Sequence, residues 1–214
     1  MPWTFWLDTA IALTAVLAAL VLRPWRALPA GGPPPWPWLA WWAVLPALWG
    51  VDGAQGQSLA QPMSGASLLT LMAGWPLATL AMLPAAAATG WLAGWPIDVA
   101  LQRGVWLGLV PASLALLFGA ALRRWLPNHL FIYILGRGFF ATALAGSISA
   151  IGQMLLHDGP ASLGQEDLLL ARVLTASGDA FITGMMVAIF VAYRPRWLAT
   201  YADRIYLLPP PGKR

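Results

Sequence analysis

Three ionisable residues stand inside long apolar runs: Asp8, Arg137 and Asp179. A charge within hydrocarbon is costly, so each is a candidate for a functional site and needs a partner. Aspartate is too short to reach far toward water, which makes Asp179, the deepest, the foremost candidate. Asp8 is also open to a plainer reading, a helix-end carboxylate in headgroup water. If Asp8 and Asp179 share one cavity, together they would bind a cation. Arg137 lies between Gly136 and Gly138, which would let a second helix or a ligand come close. The alternative for it is a guanidinium that snorkels to the interface or sits in a structural ion pair. His157 precedes Asp158-Gly159-Pro160. A His–Asp pair there could touch a metal, and a hydrated turn is the simpler reading. The expected substrate-binding set is Asp179, Asp8, His157 and Arg137, with His157 and Asp179 as the candidates for a divalent metal.

Other chemistry finds little support. The chain has no cysteine, hence no disulfide, thiolate metal site or cysteine nucleophile. It has no HExxH pair of histidines and no glycine-rich phosphate loop, so any ATP use belongs to a partner. His129, after Pro127-Asn128, reads as a helix-start residue. Methionines 63, 72, 82, 154, 185 and 186 are soft donors without a motif, and packing explains them. Gly178-Asp179 is a single aspartate where an intramembrane protease would need a matched second motif. No catalytic residue is expected, and the chain is not expected to be an enzyme.

Such residues must be positioned by apolar elements. Of the 214 residues, 59% are hydrophobic and 9% charged, against roughly 25% charged in a soluble domain. That is too little charge to coat a water-facing surface. It excludes an ordinary soluble enzyme, a disordered tail and a nucleic-acid reader. The net charge of +4 comes from arginines that flank apolar runs, the pattern that orients membrane helices. The expected partner is therefore the lipid bilayer and not nucleic acid. Fourteen tryptophans suggest rings at the membrane–water interface.

Crossing a bilayer takes ~20 apolar residues. Trp3 to Leu22 is a first span, with no basic region before it and no clear cleavage site after it, unlike a signal peptide. Trp38 to Val51, with Pro46 inside, is a short second span. Asp52 to Gln61 is expected to be an external loop. Arg23, Trp25 and Arg26, then Arg123, Arg124 and Trp125, then Arg194, Arg196 and Trp197 each put arginine beside tryptophan at a helix end. All three groups are expected to be cytoplasmic anchors. Val105 to Leu122 then runs inward, so Pro62 to Gly94 crosses twice or not at all. Two short arms of ~16 residues, broken at Gly74-Trp75-Pro76, are expected, because proline suits a first helical turn. A re-entrant hairpin is the alternative. Leu130 to Leu156 and Val173 to Tyr193 complete the set, with His157 to Arg172 external between them. The fold expected is all-α and integral to the membrane. It has seven transmembrane helices, with six as the rival count, an outer N-terminus and a cytoplasmic C-terminus. Residues 1–208 form one membrane domain and 209–214 a short basic tail. Gly138, Thr142, Gly146 and Ala150 recur at steps of four, a small-residue face for close helix packing.

Several weak motifs occur in a telling order. Gly74-Trp75-Pro76-Leu77-Ala78 is followed by Leu126-Pro127-Asn128 and Phe131-Ile132-Tyr133-Ile134. Then come Gly178-Asp179-Ala180-Phe181-Ile182-Thr183-Gly184-Met185, Tyr193-Arg194-Pro195-Arg196-Trp197-Leu198, and finally Thr200, Asp203 and Tyr206-Leu207. Over roughly residues 55 to 208 the chain resembles bacterial inner-membrane permeases of the energy-coupling-factor type. It is distantly similar to the CbiM/NikM components for cobalt and nickel uptake. The resemblance implies a seven-helix, substrate-binding, multi-pass protein of the bacterial inner membrane. Such a protein works with a coupling subunit and ATPases and binds a small cation or solute from the outer side. In that family a Met-His start supplies the metal-binding amine and histidine, and another histidine precedes the short third helix. Here those places hold Pro2, and Pro62 with Met63, while the acidic position remains as Asp179. The resemblance thus keeps the scaffold and loses the usual metal ligands. The alternative is a non-transporting accessory or assembly subunit of a larger membrane complex.

Overall fold

The apolar runs become helices, and their ends fall where proline, glycine or charge interrupts them. The computed structural model describes residues 3–24, 36–55, 61–157, 164–202 and 206. Trp25, Arg26, Asp158, Asp203 and the 209–214 tail lie outside the described residues. Seven helical segments follow in order: α1 Trp3–Val21, α2 Pro37–Gln55, α3 Ala66–Ala73, α4 Trp75–Ala93, α5 Ile97–Trp125, α6 Ile132–Leu156 and α7 Gln165–Tyr193. A short 3-10 turn, Pro195–Trp197, follows α7. No strand occurs among the described residues. Five helices, α1, α4, α5, α6 and α7, are long and apolar enough to cross a membrane, and the apolar part of α2, Pro37–Val51, is shorter. Five such helices are compatible with a multi-pass membrane protein.

The stretch from Pro62 to Gly94 breaks at Gly74, as its Gly-Trp-Pro sequence suggests, but into unequal arms. The first, α3, has eight residues and the second, α4, has nineteen. At 1.5 Å per residue, α3 is only about 12 Å long. All eight of its residues are buried, and α2, α4, α5 and α7 surround it. Two near-equal crossings are thus replaced by one full-length helix and a short central one. The cause is the segment 61–65, which is not helical and carries Gly65 at φ 64°, a conformation that favours glycine.

The last helix begins earlier than its hydropathy suggests. Residues 165–172, expected in an external linker, are the first turns of α7, and Arg172 is buried with its Nη1 donating to the Ala150 carbonyl at 2.9 Å. Glu166 and Asp167 lie in the first turn, where carboxylates complement the exposed N–H groups of a helix start. Leu168 to Leu170 continue the helix through the charged stretch.

Close approach between helices follows small residues. The face of α6 expected from Gly138, Thr142, Gly146 and Ala150 packs against α7. A Cβ on Gly138 would lie 3.2 Å from the Gly184 Cα, and one on Gly146 would lie 3.0 Å from the Ala176 Cβ. Gly104 of α5 meets α4 in the same way, its added Cβ falling 2.7 Å from the Ala86 Cβ. Gly178, in contrast, has nothing within 4 Å. Gly104→Val should therefore cost about 1–3 kcal/mol by overpacking. Gly178→Ala should be neutral or gain up to about 1 kcal/mol from helix propensity. Unfolding of the two variants in detergent checks both signs.

Candidate functional site

Two polar clusters are built inside the bundle, and they divide the expected site residues between them. The first surrounds the start of α3. Asp179 is the fifteenth residue of the twenty-nine in α7, so it lies at the helix midpoint. Its Oδ1 accepts the backbone N–H of Gly65 at 3.1 Å, and only 4% of the residue is exposed. Ser64 Oγ accepts the N–H of Ala66 and donates to the Leu107 carbonyl of α5 at 2.6 Å. The carbonyls of this turn are taken by indoles of α2. Trp49 donates to Ser64 O at 2.7 Å, and Trp41 donates to Gly65 O at 2.8 Å. A buried backbone group without a partner is costly, and here side chains from α2, from α7 and from the turn itself supply those partners. The carboxylate also stands at the N-terminal end of α3, where its charge meets the positive end of the helix dipole.

Around this turn some acceptors stay open. Thr183 lies one turn further along the same face of α7, and Gln61 opens the turn. Both are buried, and Thr183 Oγ1 and Gln61 Oε1 have no hydrogen-bond partner. A carboxylate and neutral oxygens are the donor types that hard cations take.

The second cluster joins the N-terminal part of α1 to the far end of α6. Asp8, expected near an outer helix end, is buried at 2% exposure. Its Oδ1 accepts the Trp106 indole N–H at 2.9 Å, and its Oδ2 lies 3.0 Å from His157 Nε2. The Trp106 and His157 rings meet edge-on, 5.8 Å between centroids. The contact is an ion pair when His157 is protonated and a hydrogen bond when it is neutral. Trp106 sits in a π-helical stretch of α5, residues 104–109, where the backbone ladder is widened. Gly152 leaves the space for its ring, since a Cβ there would lie 2.7 Å from Cζ3.

The structure thus brings Asp8 and His157 together and sets Asp179 in a different cluster. No group of three His, Cys, Asp or Glu side chains comes together among the described residues. Arg137 belongs to neither cluster. It occupies a second π-helical stretch, residues 132–140, with its guanidinium laid against Gly119 of α5 and above the Tyr133 ring, 5.5 Å from the centroid. Of its flanking glycines, Gly136 admits Leu122 and Gly138 admits α7, so both serve helix contact. Of the expected anchors, Arg23, Arg123, Arg124, Arg194, Arg196, Trp125 and Trp197 are exposed. His129 Nδ1 accepts the Phe131 N–H at the start of the helical run into α6, the helix-start role its position suggests.

Sequence reasoning missed Trp41, Trp49 and Trp106, because a tryptophan in an apolar run reads as an interfacial ring. It missed Ser64 and Gly65 because their role depends on a turn. The spacing of Trp41 and Trp49, eight residues apart on one helix, was the available signal. Comparison of the chain with family models, curated proteins and solved structures gave no match.

Trp106→Phe keeps most of the ring and removes the donor to Asp8. It should cost about 1–3 kcal/mol, the penalty for a buried acceptor left unmade. A loss below about 0.5 kcal/mol in detergent unfolding would show that the contact carries no such load.

Proposed function

We propose that this is a multi-pass membrane protein that binds a small cation or polar solute from the outer side. It would act as the substrate-binding component of a permease of the energy-coupling-factor type in a bacterial inner membrane. The observation that carries the reading is the non-helical turn 61–65, buried against Asp179 at the head of an eight-residue helix. Irregular backbone at membrane depth persists only inside protein or beside a cavity, and transporters place substrate sites at such broken helices. Asp179 would carry the charge recognition, with Gln61 and Thr183 supplying neutral oxygens. A hard cation fits this set better than nickel or cobalt, whose usual histidine ligands are missing.

In this proposal the chain crosses seven times, counting α3 with its entry turn as one crossing. The orientation follows the arginines. Arg123, Arg124, Arg194 and Arg196 fall at one end of the bundle, which the positive-inside rule assigns to the cytoplasm. Asp8 and His157 fall at the other. They would fasten the outer end rather than contact the solute. Coupling subunit and ATPases would come from partners.

A second reading has its own support. Asp179 already accepts the Gly65 N–H, and the turn's carbonyls are engaged by indoles, as in a purely structural strut. On that reading the chain is an accessory subunit of a larger membrane complex.

Purification from native membranes with its neighbours, with metal analysis, separates the two. Transport predicts ATPase and coupling subunits in the preparation. It also predicts that Asp179→Asn abolishes uptake while the protein still assembles. A respiratory or photosynthetic complex without bound metal, or uptake unchanged by Asp179→Asn, would contradict it.

A further inference from the structure

Arg137 is a buried charge that the two clusters leave unexplained. It is 8% exposed, and its Nε and Nη1 have no hydrogen-bond partner. Among the described residues no carboxylate lies within ion-pair distance of it; the acid–base pair found there is His157 with Asp8. A buried charge left in this way is unfavourable unless something neutralises it. Space exists beside it. A small cavity of about 10 Å³ is lined by Arg137, Arg123, Asn128, Tyr133 and Tyr206. That is room for one oxygen-sized group. Arg123 and Asn128 join Arg137 in the cavity lining, and the linking sequence from Arg123 to Phe131 contains no acid.

The place suits an amphiphile. The cavity lies where α5 passes to α6, at the end of the bundle that carries the exposed Arg124, Arg194 and Arg196. Trp125 and Phe131, at the two ends of the link from α5 to α6, are apolar and 78% and 64% exposed. The Arg137 guanidinium is held against Gly119, where a Cβ would lie 2.7 Å from Nε. Arginine donates to phosphate oxygens from its planar fork, and basic pockets between membrane helices hold lipid headgroups.

We propose that Arg137 and Arg123 bind the phosphate group of an anionic phospholipid, one phosphate oxygen occupying the cavity between α5 and α6. The same chemistry would accept free phosphate, so the test separates the two sources.

The purified full-length protein is compared in neutral detergent with added phosphatidylglycerol, phosphatidylcholine, or inorganic phosphate against chloride at equal ionic strength. Native mass spectrometry reads lipid occupancy, and thermal unfolding reads stabilisation. Phosphatidylglycerol should bind and raise Tm, and phosphatidylcholine should do neither. Arg137→Gln should lower phosphatidylglycerol affinity about tenfold, the loss of a charge-assisted contact. Arg124→Gln, an exposed arginine outside the cavity, should leave it unchanged. If Arg137→Gln does not fold, Arg137→Lys and Arg123→Gln carry the comparison and should each weaken binding. Stabilisation by inorganic phosphate that depends on Arg137 would support the anion site with a soluble source. Equal binding of the two lipids without a phosphate effect, or anion dependence that survives every cavity variant, would overturn the proposal.

Discussion

The architecture depends on one constraint: the backbone of residues 61–65 is neither helix nor strand, yet it is buried inside an apolar bundle. Every N–H and C=O in such a turn needs a partner that water cannot supply. Asp179 answers the N–H of Gly65, Ser64 answers that of Ala66, and Trp41 and Trp49 answer the carbonyls. These partners come from α7, from the turn itself and from α2. Helices distant in sequence are therefore fixed around the same few atoms. The far end of α3 is closed by the same logic. The N–H groups of Ala199 and Thr200 donate to Met72 O and Leu71 O, and the Thr200 hydroxyl meets the Tyr133 hydroxyl at 2.8 Å. A helix of eight residues would be marginal alone in water. Here both of its ends are satisfied by other elements.

A second constraint is close approach. Glycine and alanine on α4, α5, α6 and α7 allow backbones to meet without side chains between them. That brings in the polar atoms of buried Arg172 and Ser149, which bond to backbone carbonyls of neighbouring helices. In hydrocarbon, where apolar burial gives helices little preference for each other over lipid, such packing and hydrogen bonding supply the association.

Much of this was legible in the residues. The limits of α1, the break at Gly74-Trp75-Pro76 and the small-residue face of α6 follow from local composition, and local composition shaped them. Asp8, Arg137 and Asp179 stood out because a charge in an apolar run is rare, and all three are buried. Their partners were not legible. The contacts of Asp8 with Trp106 and His157 span 98 and 149 residues of sequence, and that of Asp179 with Gly65 spans 114. No local rule connects such positions. The unequal arms of 62–94 were hidden because a buried non-helical turn has the same hydropathy as a helix. Arg172 was misplaced because hydropathy averages it with Glu166 and Asp167, although it lies on the inner face of the helix that they begin. The indoles were misread because a tryptophan N–H satisfied by a carbonyl inside the protein looks, in sequence, like one kept for interfacial water.

Asp179 seats the buried turn. Amide hydrogen exchange across residues 61–73, in the protein embedded in lipid nanodiscs, tests it most directly. Strong protection is expected in the wild type and much faster exchange at Gly65 and the first turn of α3 in Asp179→Ala, with α4 unchanged. Protection that is equal in the two proteins would contradict it.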